Sequence, residues 1–374
     1  MDKARLAVAV LLGALVLCLA LVPLSRVLAR RWGVLDAPGP RKVHAAPTPR
    51  MGGLAVFLSF VAVVLLGYSL APTLAALPEV KAYFGSAFAF LQEAPRVQAK
   101  LLALLLGATL AFGVGLADDI LGARFPVWAK ALGQLVAALV LIAADIRISF
   151  LPADWLNATV TVLWVVGITN AFNLLDNMDG LSAGVAFVAS AVLLLNAWLL
   201  GEFFITLVLV AFMGSLLGFL VYNWNPASIF LGDCGSLFIG YVLASLTLLE
   251  RYVSHASSSY FPILMPVLVL AVPLLDTATV VVIRIREGRP IYVGDRRHLS
   301  HRLVALGLSP KAAVLVIYLI TFCLGLGAVS LADATLGDTT LILLQSGAFV
   351  ALILILMFFE RREPGDVAPD KAVS

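Results

Sequence analysis

The chain has 374 residues, of which 62% are hydrophobic and 13% charged, with a mean hydropathy of +1.04. Soluble domains carry roughly 25% charged residues, so this composition excludes a soluble enzyme and points to a chain threaded through a lipid bilayer, with no nucleic-acid partner. The formal net charge of +3 decides little, because in such a chain the placement of charge matters more than its sum.

A membrane helix needs about 20 mostly apolar residues. Eleven segments qualify: 6–28, 52–76, 99–117, 127–145, 157–174, 181–200, 203–222, 235–250, 260–283, 312–331 and 340–359. The first is longer than a signal-peptide core and lacks a small-residue cleavage site, so it is read as a retained span. The expected fold class is an all-α integral membrane protein of about 11 transmembrane helices. Residues 1–360 form a single polytopic domain in this reading, and the polar tail 361–374 is expected to be disordered. Cys18, Cys234 and Cys323 have no metal-ligand spacing and predict neither a disulfide framework nor a zinc site.

Orientation follows from Lys and Arg in the connections. With the N-terminus outside and the C-terminus cytoplasmic, only Lys3, Arg5, Lys81, Arg96, Lys100, Arg147 and Arg251 of the 25 Lys and Arg residues remain outside. The same orientation brings four separate polar loops to the cytoplasmic side. They hold Asp118 and Asp119 in "GLADDILGARFP", Asp176 and Asp179 in "NAFNLLDNMDGLSAG", Asp233 in "NWNPASIFLGDCGS", and His298 and His301 in "GDRRHLSHRL".

Taken singly, each motif has a bland reading. Paired acids after a span are often a solvated helix end, "GDCGS" is ordinary turn chemistry, and "DNMDG" lacks the remaining ligands of a calcium loop. Together they do not. Ionisable groups at a membrane boundary are costly and usually functional, and five carboxylates converging on one face need a cation. Magnesium, which takes hard oxygen ligands and substrate phosphates, is the expected cofactor, with Mn2+ as a substitute. Carboxylates, such an ion and a basic loop suit phosphoryl transfer, and the apolar wall beside them suggests a lipid reactant.

These motifs, together with "RKVHAAPTPRMGG" (41–53) and "VPLLDT" (272–277), occur in the order seen in the polyprenyl-phosphate N-acetylhexosamine-1-phosphate transferases, which the chain resembles from about residue 5 to 360. "DRRHLSHRL" resembles the N-acetylglucosamine branch rather than the peptidoglycan branch. Ser300 and Asn177 depart from the family pattern, standing where His and Gly are commoner. The resemblance implies transfer of a sugar phosphate, N-acetylglucosamine 1-phosphate first among candidates, from a UDP-sugar to a polyprenyl phosphate, with release of UMP. It also implies a place in the bacterial inner membrane, at the start of a cell-envelope polysaccharide such as O-antigen; a homodimer is compatible with it.

The roles it implies are specific. Asn173 and Asp233 match metal ligands, Asp176 a supporting acid near the metal, and Asp118 and Asp119 the pair that prepares the lipid phosphate. Asp179 matches the uridine contact and Asn223 another nucleotide-side contact. His298, His301 and Arg302 are expected on the donor pyrophosphate, with His301 counted among the catalytic candidates. Lys130, near the start of the fourth span, is within reach of the lipid phosphate, with a positive-inside anchor as its alternative. Arg41, Lys42 and His44 are expected substrate contacts in the first inside loop, with headgroup binding as the alternative. Two rival classes fit less well. A prenyltransferase needs paired "DxxxD" spacings that "DNMDG" and "DDILG" do not provide, and a transporter places its charges near the bilayer midplane.

Overall fold

The computed structural model of the protein describes residues 1–36, 47–85, 87–88, 94–252, 261–289 and 297–358. Arg41, Lys42, His44 and the tail 361–374 lie outside the described residues. In chain order the elements are α1 (Asp2–Arg31), β1 (Leu35–Asp36), β2 (Thr48–Pro49), α2 (Gly52–Ala76), α3 (Pro78–Phe84), α4 (Ala94–Leu121), α5 (Val127–Ala143) and α6 (Asp154–Leu175). There follow α7 (Leu181–Leu199), α8 (Phe203–Asn223), α9 (Gly232–Leu249), α10 (Met265–Val269), α11 (Ala271–Arg286), α12 (Leu299–Ala305), α13 (Pro310–Val329) and α14 (Leu336–Phe358). β1 and β2 form one short antiparallel pair.

The protein is an all-α integral membrane protein, and each expected apolar segment is helical over most of its described residues. Nine helices among the described residues are long and apolar enough to cross a bilayer, and a bent pair, Phe261–Val269 with Ala271–Arg286, supplies a tenth. The bend is 67°, and its cause is local. Pro273 has no N–H to offer the Val269 carbonyl and its ring crowds that carbonyl, so the helix cannot run unbroken through Leu270. The remaining expected segment, the fourth in chain order, is α5, a helix of 17 residues, at the short limit for a span.

Burial ranks the helices. Within its most apolar window α9 is 83% buried inside the bundle, against 22% for α1 and 17% for α14. α9 is therefore the central helix and the other two are peripheral. Its sequence, "GDCGSLFIGYVLASLTLL", carries small residues, which let neighbouring backbones approach where lipid supplies no hydrophobic drive between helices. Phe57, Phe60, Phe112 and Phe212 then fill the space around Phe238 and one another, largely edge to face.

One close approach bears directly on the site. At Gly115 α4 passes the first turn of α9 so tightly that a Cβ there would stand 2.2 Å from the Asp233 carbonyl oxygen. This lays the end of α4, with its two acids, against the start of α9. Gly115→Ala is expected to cost about 1–3 kcal/mol by overpacking, read as a lower melting temperature in detergent. An unchanged melting temperature would mean that the two helices can part without loss.

Candidate active site at one end of the bundle

The first turn of α9 leaves backbone N–H groups without helical partners, and a residue from another helix satisfies two of them. Asp119 Oδ1 accepts from the Asp233 N–H at 2.9 Å and Oδ2 from the Cys234 N–H at 2.8 Å. Its side chain is 0% exposed, with Arg50 Nε 3.3 Å from Oδ1. A carboxylate at a helix N-terminus is favoured by both hydrogen bonding and the helix dipole. Successive helical residues point about 100° apart, so the expected acid pair divides. Asp119 caps α9, and Asp118 opens to the site.

Arg50 was not among the expected site residues. The strand-like run that follows β2 lies along the segment before α9: Phe230 N–H donates to Pro49 O, and the Gly52 and Gly53 N–H groups donate to Phe230 O and Leu231 O, each at 2.8 Å. This pairing carries Arg50 to the α9 terminus, where its Nη2 lies 2.6 Å from Asp233 Oδ1. Burial opposes the charged guanidinium, but Asp233, Asp119 and Asp176 outweigh it and raise its pKa further. The one sequence signal was its position beside the glycine pair of "PRMGG".

Lys130, in the first turn of α5, completes the cluster. Its Nζ is 2.7 Å from Asp233 Oδ2, 2.8 Å from Asp118 Oδ2 and 3.1 Å from Asn173 Oδ1. Asn173 in turn donates from Nδ2 to Ser236 Oγ at 2.8 Å and to Asp233 Oδ1 at 3.2 Å. Three hard oxygens from α4, α6 and α9 thus meet on one ammonium. Among the described residues no group of three or more His, Cys, Asp or Glu is arranged to hold a metal ion as it stands.

The turn between α6 and α7 borders this cluster. Asp176 keeps an opening toward the site, yet it is packed round by protein. Burial pushes its carboxyl up to about 8; Arg50 pulls the other way, and Asp233, Asp119 and Asp179 add to the rise. Asp179 Oδ2 accepts from Asn225 Nδ2 at 2.9 Å and the Ala227 N–H at 3.0 Å. Asn223 is 4% exposed; its Oδ1 accepts from Gly180 N–H and its Nδ2 donates to Ile229 O, both at 2.9 Å. These two bonds tie the turn to the 223–229 loop, and they leave one lone pair on Oδ1 and one N–H on Nδ2 for the expected nucleotide contact.

The basic segment docks on the same turn. His298 Nδ1 lies 2.7 Å from Asp276 Oδ2, and the Leu299 N–H donates to Asp276 Oδ1 at 2.7 Å. A carboxylate can only accept, so Nδ1 carries the proton. Ser300 Oγ donates to Asn177 Oδ1 at 2.6 Å, which joins the two residues that depart from the family pattern. The His301 ring centroid is 6.4 Å from that of His298, and Arg302 Nε donates to Arg297 O at 3.2 Å. His298 Nδ1 and Ser300 Oγ thus dock α12 on α11 and on the α6–α7 turn.

A Bacillus subtilis (strain 168) protein named "Probable undecaprenyl-phosphate N-acetylglucosaminyl 1-phosphate transferase" is 35% identical over 329 residues, 85% of this chain and 83% of its own length. The family model "Glycosyl transferase family 4" matches residues 101–250. The chain belongs to that family.

Other relatives of this family 4 transferase agree. The Mycobacterium tuberculosis (strain H37Rv) "Decaprenyl-phosphate N-acetylglucosaminephosphotransferase" is 33% identical over 372 residues, 92% of this chain and 87% of its own. A "Phospho-N-acetylmuramoyl-pentapeptide-transferase" of Levilactobacillus brevis is 39% identical over 138 residues, 33% of this chain and 42% of its own. The family match takes in Asp118, Lys130, Asn173, Asp176, Asp179, Asn223 and Asp233; Arg50 and α12 lie outside it.

Asp176 gives the family 4 protein a pH signature. The folded state holds a proton there that the unfolded chain releases near 3.8. This contribution to stability is fully present below about pH 4 and is lost as pH rises through about 8. Asp176→Asn, which cannot titrate, should flatten the fall in melting temperature between about pH 6 and 8 in chelator. An equal fall in the variant would assign it to another group.

Proposed function

We propose that the protein transfers an N-acetylhexosamine 1-phosphate, N-acetylglucosamine 1-phosphate in the first instance, from a UDP-sugar to undecaprenyl or another polyprenyl phosphate. The products are the polyprenyl-pyrophosphoryl sugar and UMP, on the cytoplasmic face of a bacterial inner membrane, where they start a cell-envelope polysaccharide. The observation that carries this reading is the meeting of Asp118, Asn173 and Asp233 oxygens with Lys130 and Arg50 at one end of an apolar bundle. It joins phosphate-handling chemistry to a lipid-facing wall. The names of the relatives support a polyprenyl-phosphate acceptor and an N-acetylglucosamine phosphate as the group transferred.

Magnesium is the proposed cofactor. The donor set is all oxygen and suits a hard divalent ion, with Asn173, Asp233 and Asp118 to hold it and Asp176 in support. When bound, the ion neutralises phosphate charge.

The reaction is a single in-line displacement. An oxygen of the lipid phosphate attacks the sugar-bearing phosphorus, the bond from that phosphorus to the bridging oxygen breaks, and UMP leaves. A phosphate monoester has its second pKa at about 6, so the acceptor arrives largely as the dianion. Asp118 therefore holds and orients charge more than it removes a proton. Arg50 sits beside the developing charge, His301 and Arg302 address the donor pyrophosphate, and Asp179 accepts from the pyrimidine N–H.

Purified protein should release UMP from UDP-N-acetylglucosamine only when polyprenyl phosphate and a divalent ion are present. Lipid-linked sugar that never forms would remove the proposal. Asp233→Asn is expected to slow UMP release by about a hundredfold or more while the protein stays folded; high residual activity at saturating magnesium would deny Asp233 a metal role. His301→Ala should raise KM for the donor more than for the lipid. An unmoved donor KM would make α12 structural only.

A further inference from the structure

We propose that Lys130 is the resident counter-ion of the site, and that it surrenders its three oxygens to the divalent ion and turns its ammonium to the acceptor phosphate. The inference rests on the metal reading above and concerns what this lysine does before the ion arrives. Its Nζ takes one oxygen each from Asp118, Asn173 and Asp233 at 2.7–3.1 Å. That is the coordination expected of a cation, drawn from three separate helices. Removing it from carboxylates that are only 16–20% exposed would take from Asp118 the cation it pairs with and leave Asp233 with Arg50 as its partner cation.

Two facts make the occupants exclusive. A magnesium ion draws its oxygens in to about 2.0–2.1 Å, so an ammonium on the same three oxygens would sit almost against it. Like charges at that range repel strongly in a partly buried site. Charge accounting agrees: among the described residues Asp118, Asp119 and Asp233 pair with Lys130 and Arg50, three carboxylates against two cations, and the remaining negative charge favours a divalent ion. Lys130 is suited to leaving, because its charge rides on a flexible four-carbon stem. Arg50 is not, because backbone pairing on either side of it fixes its origin.

The test uses full-length, chelator-treated protein in detergent, with Mn2+ as the probe. Bound Mn2+ is followed by electron paramagnetic resonance, and the reactivity of Lys130 by reductive methylation and peptide mass spectrometry. Adding Mn2+ should raise Lys130 methylation several-fold in the wild type. Lys130→Met should bind Mn2+ about tenfold tighter or more, Lys130→Gln likewise, and Lys130→Arg no tighter than wild type. Should the Met variant fail to fold, Gln and the labelling arm still decide the matter. Wild-type protein that binds Mn2+ with Lys130 equally protected, or neutral variants that bind it no tighter, would overturn the exchange while leaving the metal reading intact. A wild type that binds no Mn2+ even with UDP-sugar and polyprenyl phosphate present would overturn both.

Discussion

Asp233 has a different cation on each of its oxygens, Arg50 on Oδ1 at 2.6 Å and Lys130 on Oδ2 at 2.7 Å, and the site end of the bundle is organised around that constraint. A half-buried carboxylate must be compensated or it takes up a proton. The compensation here comes from two parts of the chain that are far apart in sequence. Bringing them in fixes the approach of the β2–α2 junction from one side and the α4–α5 corner from the other. Asn173 then spans the gap from α6, and the Asp176–Asp179 turn follows it into place.

The two ends of α9 show opposite solutions to the same electrostatic problem. At its N-terminus, the positive end of the dipole, Asp119 and Asp233 stand with cations beside them. At its C-terminus Glu250 is buried, and Asn196 Nδ2 donates to its Oε1 at 2.8 Å. Burial holds that carboxyl well above the usual carboxylate range, the same direction in which the C-terminal end of a helix dipole acts on a carboxyl. One end of the central helix answers its carboxylates with cations, and the other with burial and an amide.

Much of this was legible in the sequence. The apolar runs are unambiguous because lipid tolerates no unsatisfied backbone, and the Asp118, Asn173, Asp176, Asp179 and Asp233 motifs drew notice as polar intrusions into them. The division of labour was not legible. Asp119 reads like Asp118 until the direction of each along α4 is known. That Asn223 also joins two loops through its amide shows only in the structure. Arg50 lies among many basic loop residues, and only the pairing of residues 49–53 with 230–231 singles it out. The contact between Asn177 and Ser300 joins residues 123 positions apart, a relation no local pattern encodes.

The capping of α9 from α4 has an implication for how change in this chain is read. Two identical letters side by side have different partners, one the first N–H groups of the central helix and one the Lys130 ammonium. On the proposed reaction, drift at Asp119 would first be felt in how much protein survives biogenesis, and drift at Asp118 in how fast each surviving copy turns over. A survey that scored only the growth of cells would record the two as equivalent.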